Sequence, residues 1–301
     1  MEVCNMQRTL LSALVLSLLF STQTDAQLKK RLAVSRFEDR SGHGYHNLGQ
    51  GVADMLATAL VKSGKFMVME RQELDRVLDE QKLGESGLVT AETAPKVGKL
   101  LGVELLVVGS ITEFGTKENT ISGGIALFGG GVTRKTARAV VDIRLVNTTT
   151  GEIIATETEE GSESTTGLSV RTEGIDFNDH SAWDDTDIGK ATRQAVDGCV
   201  ALITKNLEKL PWMGRILKMN ADGTILMKPG SEGGVKVDMV FGVFRIGEEV
   251  KDPDTGLSMG AEETQIGSVK VTEDALRGKA AKATIAVGKD FKTTDVLREM
   301  K

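Results

Sequence analysis

"VELLVVGSITEF", residues 103–114, decides the class of fold. Its apolar residues run together instead of alternating, as in a strand covered on both faces, and such strands belong to sheets flanked by helices. Upstream, "RLAVSRF" (31–37) and "KFMVME" (65–70) read as short strands. Between them, "NLGQGVADMLATALVKSG" (47–64) puts Leu48, Val52, Met55, Leu56, Ala59 and Leu60 on one helical stripe, with Gly64 in the stop position. "RQELDRVLDEQKLG" (71–84) is predicted to be a helix with Leu74, Val77 and Leu78 inward. "TAPKVGKLLG" (93–102) is predicted to be another, with Pro95 tolerated in its first turn.

Downstream, "TARAVVDIRLV" (136–146) alternates, with Ala137, Ala139, Val141, Ile143 and Leu145 on one face and Arg138, Asp142 and Arg144 on the other. "NTTTGE" (147–152) turns the chain into the strand "IIATETEE" (153–160). A polar, acidic span follows to about Asp187. An amphipathic helix, "IGKATRQAVDGCVALITKNLEKL" (188–210), carries a wide stripe through Ala195, Cys199 and Leu202 beside Val196, Val200 and Ile203. The first unit is therefore α/β. Pro211 marks its end. Beyond it "GRILKM", "NADG", "TILM", "MVFGVFRIG", "DPDTG", "IGSVKV" and "KATIAV" alternate strand and turn, which predicts a small all-β sandwich or barrel over 211–301.

The first 26 residues read as a cleavable export signal. Arg8 precedes an apolar run from Leu10 to Phe20, and Thr24 and Ala26 supply small side chains before a cut at Gln27. The run is shorter than the roughly 18 apolar residues of a membrane-spanning helix. Met6 could equally be the start. Cys4 precedes the apolar run and no cysteine directly follows it, so the expectation is a periplasmic chain that is not a lipoprotein. The formal charge of −6 becomes −5 once Glu2, Asp25 and Arg8 are removed, which argues against nucleic acid or anionic lipid as a partner. Only Cys199 outlasts the cut, so no internal disulfide is available. The length suits two modest domains, 27–210 and 211–301.

No constellation for chemistry emerges. Gly124 and Gly129 have P-loop spacing, but Gly130 stands where the lysine belongs, and no G-x-G-x-x-G is present. His43 and His46, with Glu38 and Asp39 nearby, read as a solvated helix-entry loop, not as a metal site. His180 is isolated, Cys199 lies on a buried stripe, and no G-x-S-x-G elbow occurs. "DPDTG" lacks the calcium loop's ligand series and reads as a hairpin turn. The expectation is no enzyme, no cofactor, no metal and no evident small-molecule substrate.

The N-terminal unit resembles the curli secretion channel (CsgG-like) family. "FEDRSG", "ERQELDRVLDEQ", "GKLLGVELLVVGSITEF", the following "SGG" and "RLVNTTTGEII" carry the resemblance across about Leu32 to Leu210. The tail, from "GRILKMNADGTILMKPG" to "IGSVKV", resembles the C-terminal β-domain of flagellar assembly protein T. These resemblances imply a periplasmic α/β unit, association with the outer membrane or another envelope protein, and ring-like homo-oligomers working in export or surface-structure assembly. A soluble periplasmic scaffold without a pore is the alternative.

In the curli channel each subunit gives two β-hairpins to a shared membrane barrel. By resemblance the first would be 117–139, tipped by "SGGIALFGGG" (122–131), and the second would follow Ile154. Ile121, Gly123, Gly124, Ile125, Leu127, Phe128 and Gly129 are thus candidate membrane or subunit contacts. Arg134 and Arg138 share one face of the descending arm and Lys135 occupies the other, so one basic residue would face lipid. That costs about 2–4 kcal/mol at the midplane and about 0–1 kcal/mol at the interface. The second span carries ten acids from Glu157 to Asp187 against Arg171 alone, on both parities, and is not expected to enter hydrocarbon. Repeated around a ring, it would line a pore with negative charge. Otherwise it is a solvated loop.

Overall fold

The computed structural model describes residues 27–42, 45, 47–70, 102–121, 132–166, 185–207, 210–254 and 258–300. The export signal, the helix predicted over 71–84, the helix predicted over 93–102 except Gly102, the pair His43 and His46, and His180 lie outside these residues.

Six strands form the first sheet: β1 (Lys30–Val34), β2 (Glu38–Asp39), β3 (Phe66–Met69), β4 (Leu105–Ile121), β5 (Val132–Asn147) and β6 (Ile153–Thr166). Their order is β3-β1-β4-β5-β6, with β2 extending β4's pairing beside β1. β1 pairs in parallel with β3 and β4, whereas β4, β5 and β6 are antiparallel. The continuous apolar reading of β4 holds. Leu105, Val107 and Ile111 join the main core, and Leu106 and Val108 on the opposite face are buried too.

Among the described residues, two helices complete the main core. α1 (Leu48–Lys62) buries Leu48, Val52, Leu56 and Leu60, and Gly64 at φ 69° follows its end. That left-handed conformation favours glycine. α2 (Asp187–Leu207) buries Ala191, Ala195, Cys199 and Ile203 against Ala137, Ala139, Val141 and Ile143 of β5. It crosses β6 so closely that a Cβ at Gly161 would lie 1.7 Å from the Ala191 carbonyl oxygen. Glycine is required there for close approach, not for backbone freedom.

The remaining strands are β7 (Gly214–Met219), β8 (Ile225–Lys228), β9 (Val240–Lys251), β10 (Ser258–Ala275), β11 (Ala280–Gly288) and β12 (Val296–Glu299). They close into a barrel in the order β10-β11-β8-β7-β12-β9. Of the two all-β forms expected, the barrel is the one adopted. Ile216, Ile225, Met227, Val243, Val269 and Leu297 fill it, and Trp212 stacks on Phe241 with ring centroids 4.7 Å apart. β12 had no counterpart among the expected strands, although it bridges β7 and β9 and so closes the barrel.

The start of β1 touches the barrel directly. Lys29 N donates to Gly233 O at 2.9 Å, and Arg31 Nη2 donates to Met213 O at 3.0 Å. Among the described residues, no helix is long and apolar enough to cross a membrane.

Candidate assembly arm

β4 and β5 continue together past the helices as a long hairpin. Their register runs from Leu105 opposite Asn147 to Ile121 opposite Val132. One irregularity interrupts it: Ile111 faces Val141 and Glu113 faces Val140, leaving Thr112 as an extra residue. Such a bulge reverses which face each following residue occupies. Phe114 therefore enters the core opposite Ala139, where it meets Tyr45 edge-on at 5.3 Å, and Glu113 turns outward.

Outward, Glu113 meets Arg138. Arg138 Nη1 donates to Glu113 Oε2 at 2.7 Å, while its Nε and Nη2 hold both oxygens of Glu160 at 2.7 and 2.9 Å. The hydrogen bonds from Arg138 hold the Glu160 carboxyl below its ordinary range, and Glu160 in turn raises Arg138. Ser41, Thr112, Gly115 and Lys117 join Glu113 and Arg138 around a shallow hollow at this root of the arm. On the other face, Lys135 pairs with Glu118 directly across the strands at 2.6 Å.

Both faces of the arm therefore carry ion pairs. A spanning strand of a membrane barrel needs about 9–11 residues with one apolar face. Sixteen residues, 119–134, lie between Glu118 and Lys135. After a turn of at least two residues, about seven remain per strand, fewer than a span requires. A span of 9–11 residues must turn either Glu118 and Lys135 or, on the opposite face, Arg134 and Lys117 toward lipid.

β6 was expected to end near Glu160 but continues to Thr166, paired with β5 as far as Arg134. Glu157, Glu159, Glu160 and Glu163, assigned by resemblance to the start of a second hairpin, are thus on a strand of this sheet. Thr165 Oγ1 donates to Asp187 Oδ2 at 2.8 Å, tying the strand to the start of α2. The rest of the acidic span, 167–184, is outside the described residues.

Of the candidate contact residues, Ile121 is the last residue of β4, opposite Val132. Gly123, Gly124, Ile125, Leu127, Phe128 and Gly129 lie outside the described residues. Near the other candidates, Glu38 is paired with Arg40 at 2.6 Å and Asp39 accepts from the Ser41 amide and hydroxyl. Cys199 is buried, and burial with the nearby Glu159 charge pushes its thiol up to about 12, so it is core and not nucleophile. Asp254 N donates to Asp252 Oδ1 at 2.9 Å, consistent with a hairpin turn at "DPDTG". No group of three or more potential metal ligands occurs among the described residues. The ion pairs of the arm had not been identified from the sequence. Their signal was the alternation of basic residues from Arg134 to Arg138 opposite acidic residues of both neighbouring strands.

Residues 15–225 match the family of the curli production assembly/transport component CsgG. That match begins inside the apolar run near the N-terminus and runs into β8. The CsgG component of Escherichia coli K12 is 33% identical over 114 residues, 35% of this chain and 40% of the relative. The matched region thus spans well under two thirds of those curated relatives. A candidate lipoprotein from Neisseria meningitidis serogroup B is 29% identical over 185 residues, 57% of this chain and 75% of the relative. The expectation of an unlipidated chain gains no support from it. A hypothetical protein of Chlamydia trachomatis is 15% identical, covering 60% of this chain and 98% of that one, with a TM-score of 0.38. The resemblance of the tail to flagellar assembly protein T is not shown by these matches. Because the family match covers more than half of the sequence and takes in the sheet, both helices and the arm, the chain belongs to the family of the curli production assembly/transport component CsgG.

Proposed function

We propose that this protein is a non-enzymatic component of the cell envelope that self-associates into a ring and works in the export or assembly of surface structures. In this reading the arm, 117–139 with its neighbour β6, is a contact between subunits and not a strand that crosses hydrocarbon. The observation that carries it is the pair of charge sets on opposite faces, Arg138 with Glu113 and Glu160, and Lys135 with Glu118. Such faces suit a polar interface with a neighbour presenting the same strands. The tip 122–131, with Ile125, Leu127 and Phe128, would then pack on that neighbour. The α/β unit 27–210 would form the ring, and the barrel 211–301 would present a surface to an envelope partner.

Fractionation of envelopes with a carbonate wash tests this reading. Release of the protein by carbonate is the expected result. Retention that disappears when Ser122–Gly131 is deleted would mean that the tip enters the membrane, and would replace the contact by a pore-type hairpin.

A further inference from the structure

Where β1 meets the barrel, positive charge collects without matching negative charge among the described residues. Arg215 of β7 stands opposite Lys228 of β8, so the two side chains share one face of the barrel. The Cβ position of Gly102 lies 3.6 Å from Arg31 Nη1 and 3.9 Å from Lys228 Nζ. Two cations, one from each sheet, thus converge on one point, and Gly102 puts no side chain between them.

Among the described residues Glu104 is the carboxylate at this junction, and it is already engaged. Its Oε2 accepts from the Arg31 amide at 2.7 Å, and its Oε1 lies 3.5 Å from Arg31 Nη2. Burial pushes its carboxyl up, against the opposing effect of Arg31. Arg31 is only 6% exposed, and the buried Nε atoms of Arg31 and Arg215 meet no acceptor among the described residues. Among the described residues three cations face one carboxylate here, and Arg298, itself held by Glu263, adds to the charge felt by Arg215. Excess charge is costly where it is desolvated, and an unpaired buried guanidinium N–H costs more still. Nη1 of Arg31 and the Lys228 ammonium converging in this way, with Arg215 beside Lys228, match the oxygens of a phosphate or carboxylate.

We propose that the junction of the sheet and the barrel is an oxyanion site in which Arg31, Arg215 and Lys228 bind a phosphate or carboxylate group. Bound there, the anion bridges β1, β7 and β8 and ties the two sheets together. Burial, with the charge of Arg31 next, lowers both Arg215 and Lys228 from their ordinary values, and an anion between them relieves that repulsion. The site stands apart from the arm and does not depend on how the arm is used.

Thermal unfolding of the purified protein at constant ionic strength tests this, comparing inorganic phosphate, acetate and chloride at pH 7. The expected result is a saturable rise in Tm of a few degrees over chloride, lost in Lys228→Met. A rise with phosphate alone assigns the site to phosphate groups, and an equal rise with acetate assigns it to carboxylates, including acidic side chains of another protein. On the wild type itself, phosphate or acetate should slow reductive methylation of Lys228 and leave the more exposed Lys270 unchanged. No anion-specific rise, a rise undiminished in Lys228→Met, or undiminished methylation of Lys228 would overturn the proposal.

Discussion

Glu113 and Arg138 meet at 2.7 Å because Thr112 is an extra residue in β4. Without that bulge the parity of the strand would carry Glu113 to the core face and Phe114 out to solvent. One inserted residue thus places both the last large side chain of the core and the first ion pair of the arm. Deleting Thr112 removes the bulge yet leaves Phe114 opposite Ala139, so it should cost little. Adding one alanine after Thr112, with the bulge kept, instead turns Phe114 out and Glu113 in, and should cost about 3–5 kcal/mol, the scale of losing a buried phenylalanine, with the cost of burying Glu113 added. Urea unfolding followed by circular dichroism measures both. A loss under about 1 kcal/mol on the insertion would show that the bulge does not set the register.

Gly161 fixes how closely α2 lies on β6. A methyl group there would sit 1.7 Å from the Ala191 carbonyl oxygen, so the helix must move. Gly161→Ala should destabilise by about 2–3 kcal/mol, toward the upper end for overpacking because the obstacle is backbone. Gly223, whose Cβ position is open, is a poor control because its φ is 79°. Ala201→Gly, at an exposed helix position, is a better one and should cost about 1 kcal/mol.

Cys199 should be inert in the native protein. Its thiol is raised to about 12 by burial and by the Glu159 charge, so almost no thiolate exists at pH 8. Alkylation at Cys199, mapped by mass spectrometry, should be negligible in buffer and complete in urea. Rapid native alkylation would mean that α2 opens locally.

The barrel contains an acid-sensitive pair. Asp295 is 1% exposed, and burial alone would raise its carboxyl. Arg245, at 3.0 Å to each oxygen, and the Lys292 amide at 2.7 Å outweigh that, so its pKa is lowered. A lowered folded-state value means that the pair stabilises at neutral pH and that this contribution is lost as pH falls through the folded value, below the usual aspartate range. Asp295→Asn should cost about 1.5–3 kcal/mol at pH 7 and flatten the acid limb of the stability profile. An unchanged acid limb would contradict the assignment.

The architecture was largely legible in the sequence because burial has a period. The continuous run at 103–108 announced a strand covered on both faces, and the stripes of α1 and α2 announced helices. Three features had no such signal. The bulge at Thr112 interrupts no apolar pattern, since Ile111 and Phe114 are apolar in either register. β6 runs on through Ser162, Ser164 and Thr165 because β5 offers an edge to pair with, a tertiary cause that polar residues do not advertise. β12 has only Val296 and Leu297 to mark it, and it is a strand because β7 and β9 need closing. The arm was located by resemblance, but its ion pairs depend on register. The cation cluster combines residues from β1, β7 and β8 that no local motif joins.

The central claim is that the arm joins subunits. Native mass spectrometry of the detergent-free protein at micromolar concentration tests it directly, for the wild type and for the Ser122–Gly131 deletion. The account predicts one closed oligomer of uniform size for the wild type, and dissociation to smaller species for the deletion with both sheets still folded. A wild-type monomer, or an oligomer that the deletion leaves intact, would contradict it.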